Sequence, residues 1–123
     1  MKLLHNIINP SHWRKPDFKS GADNSPYTWR CMKCNADNQF TFDELANLCW
    51  NDRYAFENGE YERVKEFYGI GFVNKSHDGG WPFFKIVSCE ECGKQYFLYV
   101  GIQEPANSYL VITVQAITEL DDS

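Results

Sequence analysis

The chain has 123 residues, of which 43% are hydrophobic, 24% charged and 16% aromatic. This length supports one domain with a compact core, and the composition excludes a disordered chain, a collagen-like repeat and a coiled coil. The net charge of −5 argues against a surface built wholly for polyanions. No apolar stretch approaches the ~20 residues that a membrane span needs, and the start lacks the pattern of a secretory leader, so the sequence predicts a cytoplasmic protein.

The first 26 residues are predicted to form an irregular arm across the domain. Residues 9–26 contain three prolines and a glycine among several Ser, Asn and Asp residues, a composition that favours turns. Charge divides the chain as well: residues 1–34 hold six basic and two acidic side chains (+4), and residues 35–123 hold six basic and fifteen acidic ones (−9). The two parts are therefore expected to face different surroundings.

Two short helices are predicted in the middle of the chain. Thr41 and Glu44 form a capping box, because each side chain can bond the backbone amide of the other at a helix start. Apolar residues then recur at helical spacing, which predicts a helix over residues 42–52. A second helix is predicted over residues 60–68, ending before Gly69, which suits a left-handed cap.

The C-terminal half has the pattern of β-strands. Aromatic and β-branched residues predict strands over residues 83–87, 95–102 and 109–118, the last two joined as an antiparallel hairpin by residues 104–108. Alternation in the last strand predicts one core face shared by Leu110, Ile112, Val114 and Ala116, and a partly covered opposite face. The predicted fold class is α+β: an antiparallel sheet with one or two short helices.

Four of the five cysteines form two C-x2-C pairs, Cys31 with Cys34 and Cys89 with Cys92. Two residues between cysteines let both sulfurs of a tight turn converge on one ion, and two such turns supply four thiolates, a set that suits one structural Zn2+. Gly93 follows the second pair and can adopt the positive φ that such turns use, and Asn35, at the equivalent point of the first pair, also tolerates it. With four thiolate ligands the zinc has no open position, so hydrolytic zinc chemistry is not expected.

These two pairs resemble the zinc ribbon class, in which two C-x2-C turns on β-hairpins hold one structural zinc. The resemblance covers the turns and their flanking strands, and it implies a ribbon embedded in a larger domain, because 54 residues separate Cys34 from Cys89. Three other readings of the cysteines stay open. They are iron in a rubredoxin-like site, two thioredoxin-type redox pairs, and unliganded cysteines that only share the spacing.

No catalytic motif is recognisable, so we do not expect an enzyme. The acidic second part instead indicates a protein-binding module that masks a basic partner, with aromatic residues as anchors. In its small size, acidity and lack of an enzyme motif the chain is similar to bacterial immunity proteins, which neutralise a toxin, often a basic nuclease. The resemblance implies carboxylates that imitate phosphate positions, and the candidate partner-binding residues are Asp43, Asp52, Glu57, Glu60, Glu62 and Glu66.

Two other functions stay open from the sequence. Zinc ribbons also bind nucleic acid, and the arm combines cations with a stacking ring in His12, Trp13, Arg14, Lys15 and Lys19, while Arg30 and Lys33 flank the first cysteine pair. Five cations on an acidic domain predict weak, salt-sensitive binding. An enzyme whose site no motif exposes is the third hypothesis, and it requires a cleft with perturbed titratable groups.

Overall fold

The computed structural model describes residues 2–8, 14–19, 26–49, 51, 53–71, 80–106 and 109–121. In chain order the elements are β1 (Leu3–Ile8), β2 (Arg14–Lys19), β3 (Tyr27–Arg30), β4 (Asp37–Phe40), α1 (Phe42–Ala46), a 3-10 turn (Asn47–Cys49), α2 (Glu60–Tyr68), β5 (Trp81–Ser88), β6 (Gln95–Ala106) and β7 (Tyr109–Leu120). All the strand pairs are antiparallel. The α+β class is confirmed.

The main sheet has the strand order β1-β7-β6-β5, and β2 also pairs with β7. Strand β1 pairs with the C-terminal end of β7, and β2 pairs with its N-terminal part, so both lie along one edge of this long strand. The prediction of an irregular arm over residues 1–26 is therefore wrong for residues 3–8 and 14–19, and its residues 9–13 and 20–25 lie outside the described residues. The exposed edge of β7 supplies backbone partners that outweigh the turn-forming composition, and Pro16, which cannot donate, lies where the β2 register shifts.

Both faces of the central strand β6 are buried, and a helix packs on each face of the sheet. Alternate residues of β6 enter two different cores, with Leu98 and Val100 on one face and Phe97 and Tyr99 on the other. The first core also contains three residues from α1 and the 3-10 turn: Phe42, Leu45 and Leu48. The second contains Val64 of α2. The helices α1 and α2 consequently pack on opposite faces of the sheet.

A bulge in β7 changes which residues share a face. Tyr99 pairs with Ala116 but Val100 pairs with Val114, so Gln115 is an extra residue in β7. An extra residue reverses the alternation beyond it. Val114 packs in the first core and Ala116 in the second, so the prediction that both share one face is wrong.

The predicted helix starts are confirmed, and one predicted end is wrong. The Thr41 hydroxyl accepts a hydrogen bond from the Glu44 amide at 3.3 Å and donates one to the Glu44 carboxylate at 3.1 Å. Helix α1 ends at Ala46 and tightens into the 3-10 turn instead of continuing to residue 52. Helix α2 spans residues 60–68 as predicted and ends at Gly69, whose φ of 72° is left-handed.

The strands β6 and β7 reach Ala106 and Tyr109, so the connection between them is shorter than the predicted residues 104–108. Extending both strands adds backbone pairing at the end of the hairpin, where Ala106 pairs with Tyr109. Within the described part of the chain, no helix is both long and apolar enough to cross a membrane.

Candidate metal centre

Two turns of the same geometry carry the four cysteines. The first cysteine turn (residues 31–36) joins β3 to β4, and the second (residues 89–94) joins β5 to β6. In each turn the amide of the first cysteine donates to the carbonyl five residues later, at 2.9 Å, closing the turn. Asn35 and Gly93 hold the left-handed conformation, with φ of 63° and 77°. The prediction that these two positions supply the positive φ is confirmed.

The two turns face each other and bring the four sulfur atoms together. Each of Cys31, Cys34, Cys89 and Cys92 has its Sγ within 4.8 Å of the other three. Across the hairpins, the Sγ atoms of Cys31 and Cys92 are 3.6 Å apart and those of Cys34 and Cys89 are 3.5 Å apart. A tetrahedron with metal–sulfur bonds of about 2.3 Å places its sulfurs about 3.8 Å apart, whereas a disulfide needs about 2.05 Å. The cluster is therefore compatible with one structural zinc ion.

The four sulfurs form two unequal pairs. Cys31 and Cys89 are buried, whereas Cys34 and Cys92 are exposed. Burial by itself raises the pKa of the Cys31 thiol, but hydrogen bonds from Tyr96 and from the amides of Cys34 and Lys33 outweigh burial and lower its pKa to about 6. A backbone amide and Asn38 likewise lower the pKa of Cys89. In the first cysteine of each turn, Cys31 and Cys89, the thiolate form that a metal binds is therefore favoured.

Cys34 behaves in the opposite way. A hydrogen bond from the Ala36 amide favours its thiolate, but desolvation and the neighbouring sulfurs Cys89, Cys92 and Cys31 outweigh that bond and raise its pKa to about 12. Four thiolates this close repel one another, so at neutral pH a divalent cation is needed to hold all four deprotonated. The donor set thus suits a cation and leaves no ligand position for water once all four sulfurs bind.

Two polar side chains at the cluster are absent from the sequence-based prediction. The Tyr96 hydroxyl lies 3.2 Å from Cys31 Sγ and accepts a hydrogen bond from the Met32 amide at 2.8 Å. Asn38 Nδ2 lies 3.5 Å from Cys89 Sγ, and its Oδ1 accepts from the Glu90 amide at 3.0 Å. The signal that could have found them is spacing, because each residue follows the first cysteine of its own hairpin by seven positions.

A buried lysine also attaches the second cysteine turn to the C-terminal end of β7, which lies beside it. The ammonium of Lys94 donates to the carbonyl of Leu120 at 2.7 Å and lies 3.3 Å from the Glu119 carboxylate. Asn6 of β1 donates to the same carboxylate at 2.7 Å. The Lys94 side chain is only 4% exposed and that of Glu119 is 18% exposed, so the ammonium of this ion pair is buried and the carboxylate is largely buried.

The six predicted partner-binding residues do not form one surface. Asp43 lies on α1, on the opposite face of the sheet from Glu57, Glu62 and Glu66, which are exposed on and beside α2. Glu60 is buried, and its carboxylate accepts hydrogen bonds from the Tyr54 hydroxyl at 2.8 Å and the Glu57 amide at 3.3 Å. Glu60 has an internal structural role, because its buried carboxylate is satisfied by these two donors at the start of α2. Asp52 lies outside the described residues.

The predicted nucleic-acid arm lies mostly outside the described part of the chain. That holds for His12 and Trp13, and for the side chains of the three arm cations, Arg14, Lys15 and Lys19. Arg30 and Lys33 are exposed beside the first cysteine turn, and Arg30 lies 3.6 Å from the carboxylate of Asp37. A carboxylate this close to Arg30 opposes a phosphate contact.

No family model, no curated protein and no solved structure matches this chain. The class of the protein is defined by its fold and its site. It is an α+β domain in which two turns on separate hairpins hold a four-cysteine cluster compatible with one structural zinc ion.

Proposed function

We propose that this chain is a non-catalytic zinc ribbon module that binds and masks a basic protein in the cytoplasm, in the manner of an inhibitor or a toxin-immunity protein. The observation that carries the proposal is the acidic surface of α2, in which Glu62 and Glu66 are exposed on the helix and Glu57 is exposed just before it. It is supported by the charge of −9 over residues 35–123. Such a charge accelerates encounter with a cationic partner and disfavours polyanions.

The acidic surface of α2 is built on a rigid support. Glu62 and Glu66 are four residues apart, so both side chains leave the same side of the helix. Beneath them Val64 packs into the second core, and Gly69 ends the helix with a defined cap. Two carboxylates fixed about one helical turn apart suit a pair of cations in a nuclease cleft, where phosphates would otherwise bind.

The cations of α2 limit the size of this surface. Lys65 lies 4.8 Å from the centre of the Tyr61 ring, an intrahelical cation–π contact, and Arg63 is exposed. We therefore assign the contact to the side of α2 that carries Glu62 and Glu66. Asp43 and Glu60 have no part in it, because Asp43 lies on the other face of the sheet and Glu60 is buried.

The test is affinity purification of the tagged, zinc-loaded protein from its native lysate, with and without nuclease. The double variant Glu62→Lys/Glu66→Lys changes the net charge by +4 on α2. The matched control, Glu91→Lys/Glu104→Lys, makes the same change at two exposed glutamates outside α2. We expect one basic protein to be retained at near-equal stoichiometry after nuclease treatment, lost with the first variant and kept with the second.

Two outcomes contradict the proposal. Retention that is equal for both variants places the contact elsewhere than on α2. Co-purifying nucleic acid that is lost on digestion moves the function to the basic arm, and binding that then falls steeply with salt and with neutralisation of Arg14 and Lys15 supports the nucleic-acid alternative.

A further inference from the structure

The two cysteine turns exchange side-chain contacts. Tyr96 belongs to the hairpin of the second turn but bonds the first turn, at Cys31 and Met32. Asn38 belongs to the hairpin of the first turn but bonds the second, at Cys89 and Glu90. In both cases the side chain contacts the sulfur of the first cysteine and the amide of the next residue. The two contacts are therefore equivalent under an approximate two-fold relation between the hairpins.

The direction of the hydrogen bonds follows from the donors present. The amide of Met32 can only donate, so the Tyr96 oxygen accepts from it; a metal-bound Cys31 thiolate carries no hydrogen, so the Tyr96 hydroxyl then donates to Cys31 Sγ. The Asn38 carbonyl oxygen accepts from the Glu90 amide, which leaves its NH2 group as the donor to Cys89 Sγ. Both first-cysteine sulfurs are thus acceptors, as a metal-bound thiolate is.

We propose that Tyr96 and Asn38 are positioning residues for the metal, each holding the first cysteine of the opposite hairpin in its ligating orientation. The burial of the groups supports this role. Tyr96 and Cys31 have no exposed surface, and Cys89 and Asn38 are 2% and 5% exposed. In such surroundings a donor to an anionic sulfur is strong, and it offsets part of the formal charge of −2 of a zinc ion with four thiolates.

The four cysteine ligands are held in two different ways. Cys31 and Cys89 are anchored by a side chain from the other hairpin, whereas Cys34 and Cys92 face solvent. The contacts between the hairpins therefore fix the positions of the Cys31 and Cys89 sulfurs, and binding to the metal fixes those of Cys34 and Cys92. Outer hydrogen-bond partners of metal ligands typically change metal affinity by about 10- to 100-fold when removed.

The experiment compares three variants of the full chain. Tyr96→Phe removes the donor to Cys31 and keeps the ring. Asn38→Asp keeps the acceptor for the Glu90 amide but replaces the donor to Cys89 by a negative charge. The matched control is Tyr68→Phe, which removes a hydroxyl that lies 2.6 Å from Thr118 Oγ1. Tyr68 belongs to α2, which packs on the other face of the sheet. Zinc dissociation constants come from chelator competition, and the Co2+-loaded proteins give the thiolate-to-metal charge-transfer spectrum.

We expect Tyr96→Phe to weaken zinc binding by about 10- to 100-fold and Asn38→Asp by at least as much. Both variants are expected to shift the Co2+ charge-transfer band, because the donor to a ligating sulfur changes. Tyr68→Phe is expected to lower the melting temperature while leaving zinc affinity and the Co2+ spectrum as in the unchanged protein. Zinc affinity and spectrum that stay unchanged in either Tyr96→Phe or Asn38→Asp would overturn the proposal. If one of these two variants does not fold, the zinc affinity and Co2+ spectrum of the other variant test the proposal.

Discussion

Replacing Lys94 by methionine tests whether the ion pair beneath the second cysteine turn stabilises the fold. At 3.3 Å the attraction between Lys94 and Glu119 is about 5 kcal/mol before desolvation is subtracted, for an effective dielectric constant of about 20. Removing one partner of a buried pair typically costs about 3–5 kcal/mol, because the other charge is left buried. Glu119 keeps its bond from Asn6, so we expect Lys94→Met to lower the free energy of unfolding by about 3 kcal/mol.

The assay is urea unfolding of the zinc-loaded protein, with Glu119→Gln and the double variant completing a cycle. We expect the two substitutions to be coupled by about 1–3 kcal/mol, because the residues are in direct contact. Lys33→Met is the matched control. It makes the same change at an exposed lysine of the first cysteine turn, where about 0.5 kcal/mol or less is expected. A loss below about 1 kcal/mol for Lys94→Met, or no coupling to Glu119, would refute the reasoning.

Three further outcomes follow from the site and the cores. Cys92→Ser should reduce the metal content to near zero and lower the melting temperature, since a structural zinc site contributes on the order of 10 kcal/mol of binding free energy. An unchanged melting temperature in metal-free Cys92→Ser protein contradicts this prediction. Phe97→Ala should lower the free energy of unfolding, measured by chemical denaturation, by about 3–5 kcal/mol, because the Phe97 ring is fully buried and stacks 5.4 Å from that of Phe84. A loss below about 1 kcal/mol argues against the packing of the second core. Burial and the carboxylate of Glu60 raise the pKa of Tyr54 to about 12. The protonated phenol is therefore favoured in the folded state, and its stabilising effect is present below pH 10 and is lost as the pH rises from about 10 to 12. Tyr54→Phe should make the alkaline loss of stability shallower when unfolding is measured at pH 8 and pH 11; an equal loss in both proteins speaks against this linkage.

The four cysteine ligands could be predicted from the sequence because each pair lies in one local turn. A C-x2-C turn places two sulfurs on one side within four residues, and the residue after it must hold a positive φ, which Asn35 and Gly93 do. The start of α1 is local for the same reason, since Thr41 and Glu44 are only three residues apart. The pairing of the two turns was also within reach, because a single C-x2-C turn cannot complete a tetrahedron.

The residues that each face of the sheet presents could not be predicted from the sequence, because they depend on pairing between distant strands. The bulge at Gln115 moves Ala116 into the second core, and no local pattern marks it, because the register depends on β6. Residues 3–8 and 14–19 form strands because β7 offers an edge at least 90 residues away in sequence. Lys94 and Tyr96 are likewise buried against partners 26 and 64 residues distant. Interactions between such distant residues depend on which surfaces the fold brings together.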